Sequence, residues 1–246
     1  VTGVQTCALP IYRSVRPRIV GNLSAVQVAV AATMGLTLGF LMDRNADAFR
    51  FVLPIAGLFA FAAFMVLRRL PVRHEQAELR HDRQPHNRPG LRELLVVLLR
   101  DRFFAKFQLW MFIMGLGNLM LPPILIIVLK EDFQMGYFRS ILITTGIIQL
   151  ATPLFIPMWA RVLNRAHVVH FRSIHSWSFV VALIILMLGT HFHLVPLMYL
   201  GALFQAIGLA GGSIAWHIGH HDFAPPSETS RYMAVHVTLN GARGLL

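Results

Sequence analysis

The chain has 246 residues, 56% of them hydrophobic and 13% charged, with a mean hydropathy of +0.60. A soluble domain of this length carries about twice that charged fraction, and the polar surface here would not cover the apolar mass, so a water-soluble globular fold is excluded. The net charge of +11 does not point to nucleic acid, because the basic residues stand between apolar blocks and form no continuous basic face.

The first residues, VTGVQTCALPI, fit nothing that follows. They read as the translation of a sequencing-adapter oligonucleotide, and residues 1–12 are set aside as a non-native segment. A signal peptide does not fit, since there is neither a basic n-region nor an apolar h-region. Setting the segment aside removes Cys7, the only cysteine, and with it any basis for thiol or disulfide chemistry. The other end stops at Gly244-Leu245-Leu246, inside an apolar helical pattern, so the chain reads as cut at both ends.

Apolar runs long enough to cross a bilayer, which takes roughly 20 residues per helix, then follow in order. Ile19–Met42 is the first and Phe51–Leu67 the second. A hydrophilic connection, 68–102, contains Leu91–Leu99, which reads either as an amphipathic interfacial helix or as a solvated linker. Phe103–Leu129, Phe138–Trp159, Ser176–Gly189 and Leu194–His217 complete six full spans, and Arg231–Leu246 begins a truncated seventh. The runs are long and lack strict alternation, which excludes a closed barrel. The expected fold class is an all-α polytopic membrane helix bundle.

If the first loop is cytoplasmic, alternate loops put seventeen of the 22 basic residues on the cytoplasmic side and four on the other. The seventeen include ten between Arg68 and Lys106, together with Arg161, Arg165 and Arg172. This asymmetry supports both the span count and the orientation.

The spans are of two kinds. Phe51–Leu67 and Phe179–Leu188 contain no hydrogen-bonding side chain and read as lipid-facing. The others carry amides, hydroxyls and glycines, which belong against protein or a water-filled cavity. At about 1.5 Å per residue, Asn118, Gln149, Gln205 and Asn240 lie near mid-span, with Gln27 slightly shallower. Singly, each amide could only hold the bundle together; as a set they read as a polar belt around a solute cavity. His236, Asn240 and Arg243 fall at i, i+4 and i+7 on one helix face. Arg243 stands about 18 Å beyond the interfacial Arg231, past the middle of a core roughly 30 Å thick. All 11 acidic residues of the chain lie in loops or at interfaces. The partner of Arg243 is therefore either an acid in helices outside this chain or an anionic group of a substrate.

The pattern resembles the major facilitator superfamily, whose transporters join two six-helix halves through a long cytoplasmic loop, with the third helix of each repeat facing lipid. With 68–102 as that loop, 13–67 holds the fifth and sixth helices and 103–246 the seventh to eleventh. The two purely apolar spans then fall on the sixth and ninth, the lipid-facing positions. The segment PMWARVLNRAH, 157–167, is similar to the family's cytoplasmic gate motif: Arg161 and Arg165 match its paired basics, while Ala160 replaces the usual Gly and Asn164 the usual Asp. The halves echo each other, Arg18 and Gln27 standing nine residues apart like Arg231 and Asn240. The first span carries Gly35-x-x-x-Gly39 and no Gly-Pro pair, unlike the family's proton-coupled drug antiporters. Gly208-x-x-x-Gly212 reads as close helix packing.

The resemblance implies a secondary active transporter that moves a small solute by alternating access in a bacterial inner membrane, with an inactive fragment as the chain given. Its partners would be the lipid bilayer, the solute and a coupling proton or ion, with no cofactor, metal or nucleic acid. Substrate contacts would come from Asn118, Gln149, Gln205, His236, Asn240, Arg243 and Gln27. Two rivals stand beside it. His217-Ile-Gly-His220-His221 resembles a histidine box of membrane di-iron desaturases, with His167 and His170 on the same side. A third box is missing there, and His191 and His193 fall on the opposite face. The other rival is a non-transporting receptor of the same architecture.

Overall fold

A computed structural model describes residues 16–69, 91–163, 165–225 and 228–244, without side chains at 16–27, 29, 91–93, 217, 218 and 221. Residues 1–12, the connection 70–90 and Asn164 lie outside the described residues. Eight helices account for nearly all of it, with no strand among the described residues: α1 (Arg16–Arg44), α2 (Phe49–Arg68), α3 (Leu91–Arg100), α4 (Arg102–Glu131), α5 (Tyr137–Leu163), α6 (Val168–His191), α7 (Val195–Ile218) and α8 (Thr229–Arg243). The fold is an all-α polytopic membrane bundle. Five segments are long and apolar enough to cross a bilayer: Ala46–Arg68 and helices α4 to α7. The 29 residues of α1 reach about 43 Å, also enough to cross.

Local chemistry sets the helix starts. Asp101 caps α4 by accepting from the Phe104 N–H at 2.9 Å, and Asp222 caps α6 by accepting from the Val168 N–H at 2.7 Å. Both satisfy donors that a helix leaves orphaned at its first turn. The α6–α7 turn is made by His193 in the left-handed region, φ 53°, where the Leu194 N–H reaches back to the Gly189 carbonyl at 2.9 Å. One turn of α5, Leu142–Gly146, widens to π geometry.

The sequence-based boundary Ser176–Gly189 falls eight residues short at its N-terminus, because α6 begins at Val168. Arg172 is thus no loop charge. It is buried in the second turn of the helix, its Nη2 donating to the Gly212 carbonyl of α7 at 3.4 Å. Leu91–Arg100 is helical and anchored by Val97, which enters the same core as Phe104 and Val235.

The two apolar spans differ in the structure. Helix α2 buries no side chain at all. Helix α6 shows one face to the outside through Leu183, Ile184 and Met187, and packs the other against α7 through Phe179, Ala182 and Leu186. That packed face fits glycines of α7. A Cβ on Gly211 would meet His175 at 2.9 Å, one on Gly208 the Phe179 ring at 2.8 Å, and one on Gly201 the Leu186 side chain at 2.6 Å. The close-packing role expected of Gly208 holds; Gly212 leaves more room.

Helix α1 meets α5 at the end that the loop charges put away from the cytoplasm. The Asp43 carboxylate accepts from the Tyr137 and Phe138 N–H groups, the latter at 3.0 Å, and so caps α5 from another helix. Just below, a Cβ on Gly39 would come within 2.9 Å of the Phe138 Cα. Because backbone cannot swing aside, Gly39→Ala is expected to cost roughly 1–3 kcal/mol and to lower the melting temperature in detergent. Gly57→Ala, on an open face of α2, is the control and leaves it unchanged; equal melting of the two variants contradicts the seam.

Candidate functional site

Two helix faces carrying buried polar side chains meet where α4 packs on α8. On α8 the sequence spacing puts His236, Leu239, Asn240 and Arg243 along one side. On α4 the same i, i+3, i+4, i+7 spacing presents Gln108, Met111, Phe112 and Gly115. Seven of these eight residues, all but Gly115, line one small cavity of about 10 Å³, room for a single water-sized group.

The bonds across it are specific. His236 Nδ1 lies 3.1 Å from Gln108 Oε1; since the amide oxygen can only accept, the imidazole donates from Nδ1. Both side chains are buried, Gln108 at 3% exposure and His236 at 5%. The Trp216 ring of α7 stands 5.3 Å from the His236 ring, so a third helix supports the histidine. Side chains lean toward the N-terminus of their helix, and Arg243 accordingly reaches back to lie on α4. Its Nη1 donates to the Met111 carbonyl at 3.4 Å. The guanidinium occupies the space that Gly115 leaves, where a Cβ would sit 1.5 Å from Nη1. Among the described residues neither Gln108 Nε2 nor Arg243 Nε has a hydrogen-bond partner, though both are buried. No acidic residue lines the cavity. The arrangement sets two buried donors, one of them on a cation, beside the His236 imidazole and the Asn240 amide.

Of the residues expected to contact substrate, the structure brings His236, Asn240 and Arg243 together on this cavity. Asn118 and Gln149 are half-buried on α4 and α5, away from its lining. Gln205 is buried in α7, with no partner for its Oε1 among the described residues. Gln27 lies on α1 among the residues whose side chains are not described. Arg161 and Arg165 of the gate motif are exposed, and Asn164 lies outside the description. In the histidine box only His220 has a described side chain, and it is buried. Among the described residues no three His, Cys, Asp or Glu side chains group as a metal site.

Sequence reasoning missed Gln108. The signal was present as a stripe ending in Gly115 that matches the one on α8, but it shows only when the two helices are known to face each other. A second, larger cleft of about 480 Å³ opens at the end where α4 and α8 begin. It is rimmed by the Arg100–Glu228 ion pair, 3.7 Å, and by Asp101, which accepts from the Tyr232 hydroxyl at 3.0 Å. These contacts tie α3, α4 and α8 together.

A family model described as Major Facilitator Superfamily matches residues 5–246. No curated protein and no solved structure matches. The chain belongs to the Major Facilitator Superfamily. The site's own geometry gives a test of its packing: His236→Ala strips the donor from a buried Gln108 Oε1. The expected loss is roughly 1–3 kcal/mol, seen as a lower melting temperature in detergent, with His236→Gln recovering part of it.

Proposed function

We propose that this superfamily member is a secondary active carrier that moves a small solute by alternating access, with the α4–α8 wall contacting the solute. Membership supports a membrane transporter in general. The observation that carries the finer reading is the pair of facing stripes, whose buried donors Gln108 Nε2 and Arg243 Nε are left without acceptors among the described residues. A bilayer interior penalises such groups unless protein, water or a ligand meets them. Asn118 follows on α4, where no side chain is buried between Gly115 and Leu125, and it extends the same wall toward mid-span.

In this reading α1 and α2 stand as the fifth and sixth helices of a twelve-helix carrier and α4 to α8 as the seventh to eleventh, in a bacterial inner membrane. The contact of α1 with α5 is then one between halves. The Asp43 cap holds that seam shut at the end away from the cytoplasm, and it has to release when the end opens. A coupling proton or ion drives the cycle. A non-transporting receptor or a di-iron enzyme gains no observation of its own from the structure.

Uptake into proteoliposomes by the complete protein tests the assignment. Asn240→Ala and Arg243→Ala are each expected to lower kcat/KM about tenfold or more, as loss of a hydrogen bond to a charged or buried partner does. Unchanged kinetics in both variants would remove the wall from the solute path.

A further inference from the structure

We infer that the solute is an organic anion, a carboxylate or phosphate group on an apolar body, whose charged head is received between Arg243 and Gln108. The inference rests on the carrier reading above and names its substrate class.

Three observations converge on it. The first is the sign of the unmet hydrogen-bonding capacity. Gln108 commits its only acceptor atom, Oε1, to His236, and its Nε2 donor remains; Arg243 commits Nη1 to a carbonyl, and its Nε remains. At these two side chains what is left over is donors, and a guanidinium beside an amide N–H selects an oxyanion, while the His236 imidazole and the Asn240 amide bring acceptor atoms to the same lining. The second is charge. The acidic side chains described in this chain, Asp43, Asp47, Asp101, Glu131, Asp132, Asp222 and Glu228, all stand at helix ends or turns, and none lines the cavity. The third is shape. About 10 Å³ takes a single oxygen atom of such a head, the rest of which stays outside the cavity. The remaining lining, Met111, Phe112 and Leu239, offers apolar contact to whatever carries that group.

Gly115 sharpens the assignment. It is the bare patch of α4 on which the guanidinium lies, and a methyl there would overlap Nη1 and Cζ, at 1.5 and 2.2 Å. The obstructed atoms are the far end of a flexible side chain, so Gly115→Ala moves the charged head while leaving the helices in place. Gly115 is therefore a positioning residue for Arg243.

The test is uptake by the complete protein in proteoliposomes from a defined mixture of aliphatic and aromatic monocarboxylates, phosphate monoesters, and their neutral amide and alcohol isosteres. Accumulation is read by mass spectrometry against empty vesicles. Anions are expected to accumulate and their isosteres not. Arg243→Gln and Gly115→Ala are each expected to cut anion accumulation about tenfold or more, while Arg243→Lys, which keeps the charge without the fork, retains part of it. Carboxylates accumulating without phosphates, or the reverse, identifies the head group. Accumulation of nothing overturns the carrier reading itself. Three results leave that reading standing and overturn the anion assignment. They are accumulation of neutral solutes only, anion uptake undiminished in both variants, and equal loss of charged and neutral solutes in both, as an internal ion pair would give.

Discussion

A polar group inside hydrocarbon has no water to bond, so each must find a partner within the bundle or border a cavity. The hydroxyls of these helices solve this locally. Ser140, Thr144, Thr152, Ser173 and Thr190 each donate to the carbonyl four residues earlier, at 2.6 to 3.0 Å, and need no neighbour. The Trp159 indole instead crosses from α5 to the Ile207 carbonyl of α7, 2.8 Å away, and so joins two helices. Against that background the long amides and guanidinium groups stand apart, because their several donors outnumber what one helix turn can accept.

Lipid offers little hydrophobic drive between helices, and close contact must supply the attraction. Glycine lets α6 and α7 approach in an antiparallel register, with His175, Phe179 and Leu186 resting on Gly211, Gly208 and Gly201 in turn. The same device lets α1 approach α5 at Gly39. At Gly115 the vacated space receives a charged side chain rather than a helix. One residue type thus builds both the seams and the site, and only the neighbour decides which.

Much of the fold was legible in the sequence because hydropathy reports position along the membrane normal, and the long spans followed it. The start of α6 was not legible. Its first two turns hold His170, Arg172, Ser173 and His175, which read as interface, whereas α7 and Trp159 bury Arg172 and His175. The site was half legible for a related reason. Depth picked out Asn240 and Arg243 along α8, and helical spacing added His236. Depth says nothing about which way a residue faces relative to another helix. Gln108 lies only two turns into α4 and becomes significant through His236 opposite it.

The two buried arginines show why burial alone would mislead. Arg172 is more enclosed, 9% exposed, yet its Nη1 lies 3.4 Å from His175 Nε2 and its Nη2 donates to the Gly212 carbonyl. His175 in turn places Nδ1 3.0 Å from the Arg172 carbonyl. A neutral imidazole with its proton on Nδ1 satisfies both contacts at once, because Nε2 is then free to accept. That arrangement leaves the Arg172 Nε without a partner among the described residues, packs against Trp159 and Phe171 two turns into α6, and locks α6 to α7. Arg243 has one carbonyl and a cavity instead, at the far end of α8. The contacts of Arg172 join one helix to the next, whereas those of Arg243 leave its guanidinium on a cavity with no acidic residue in its lining.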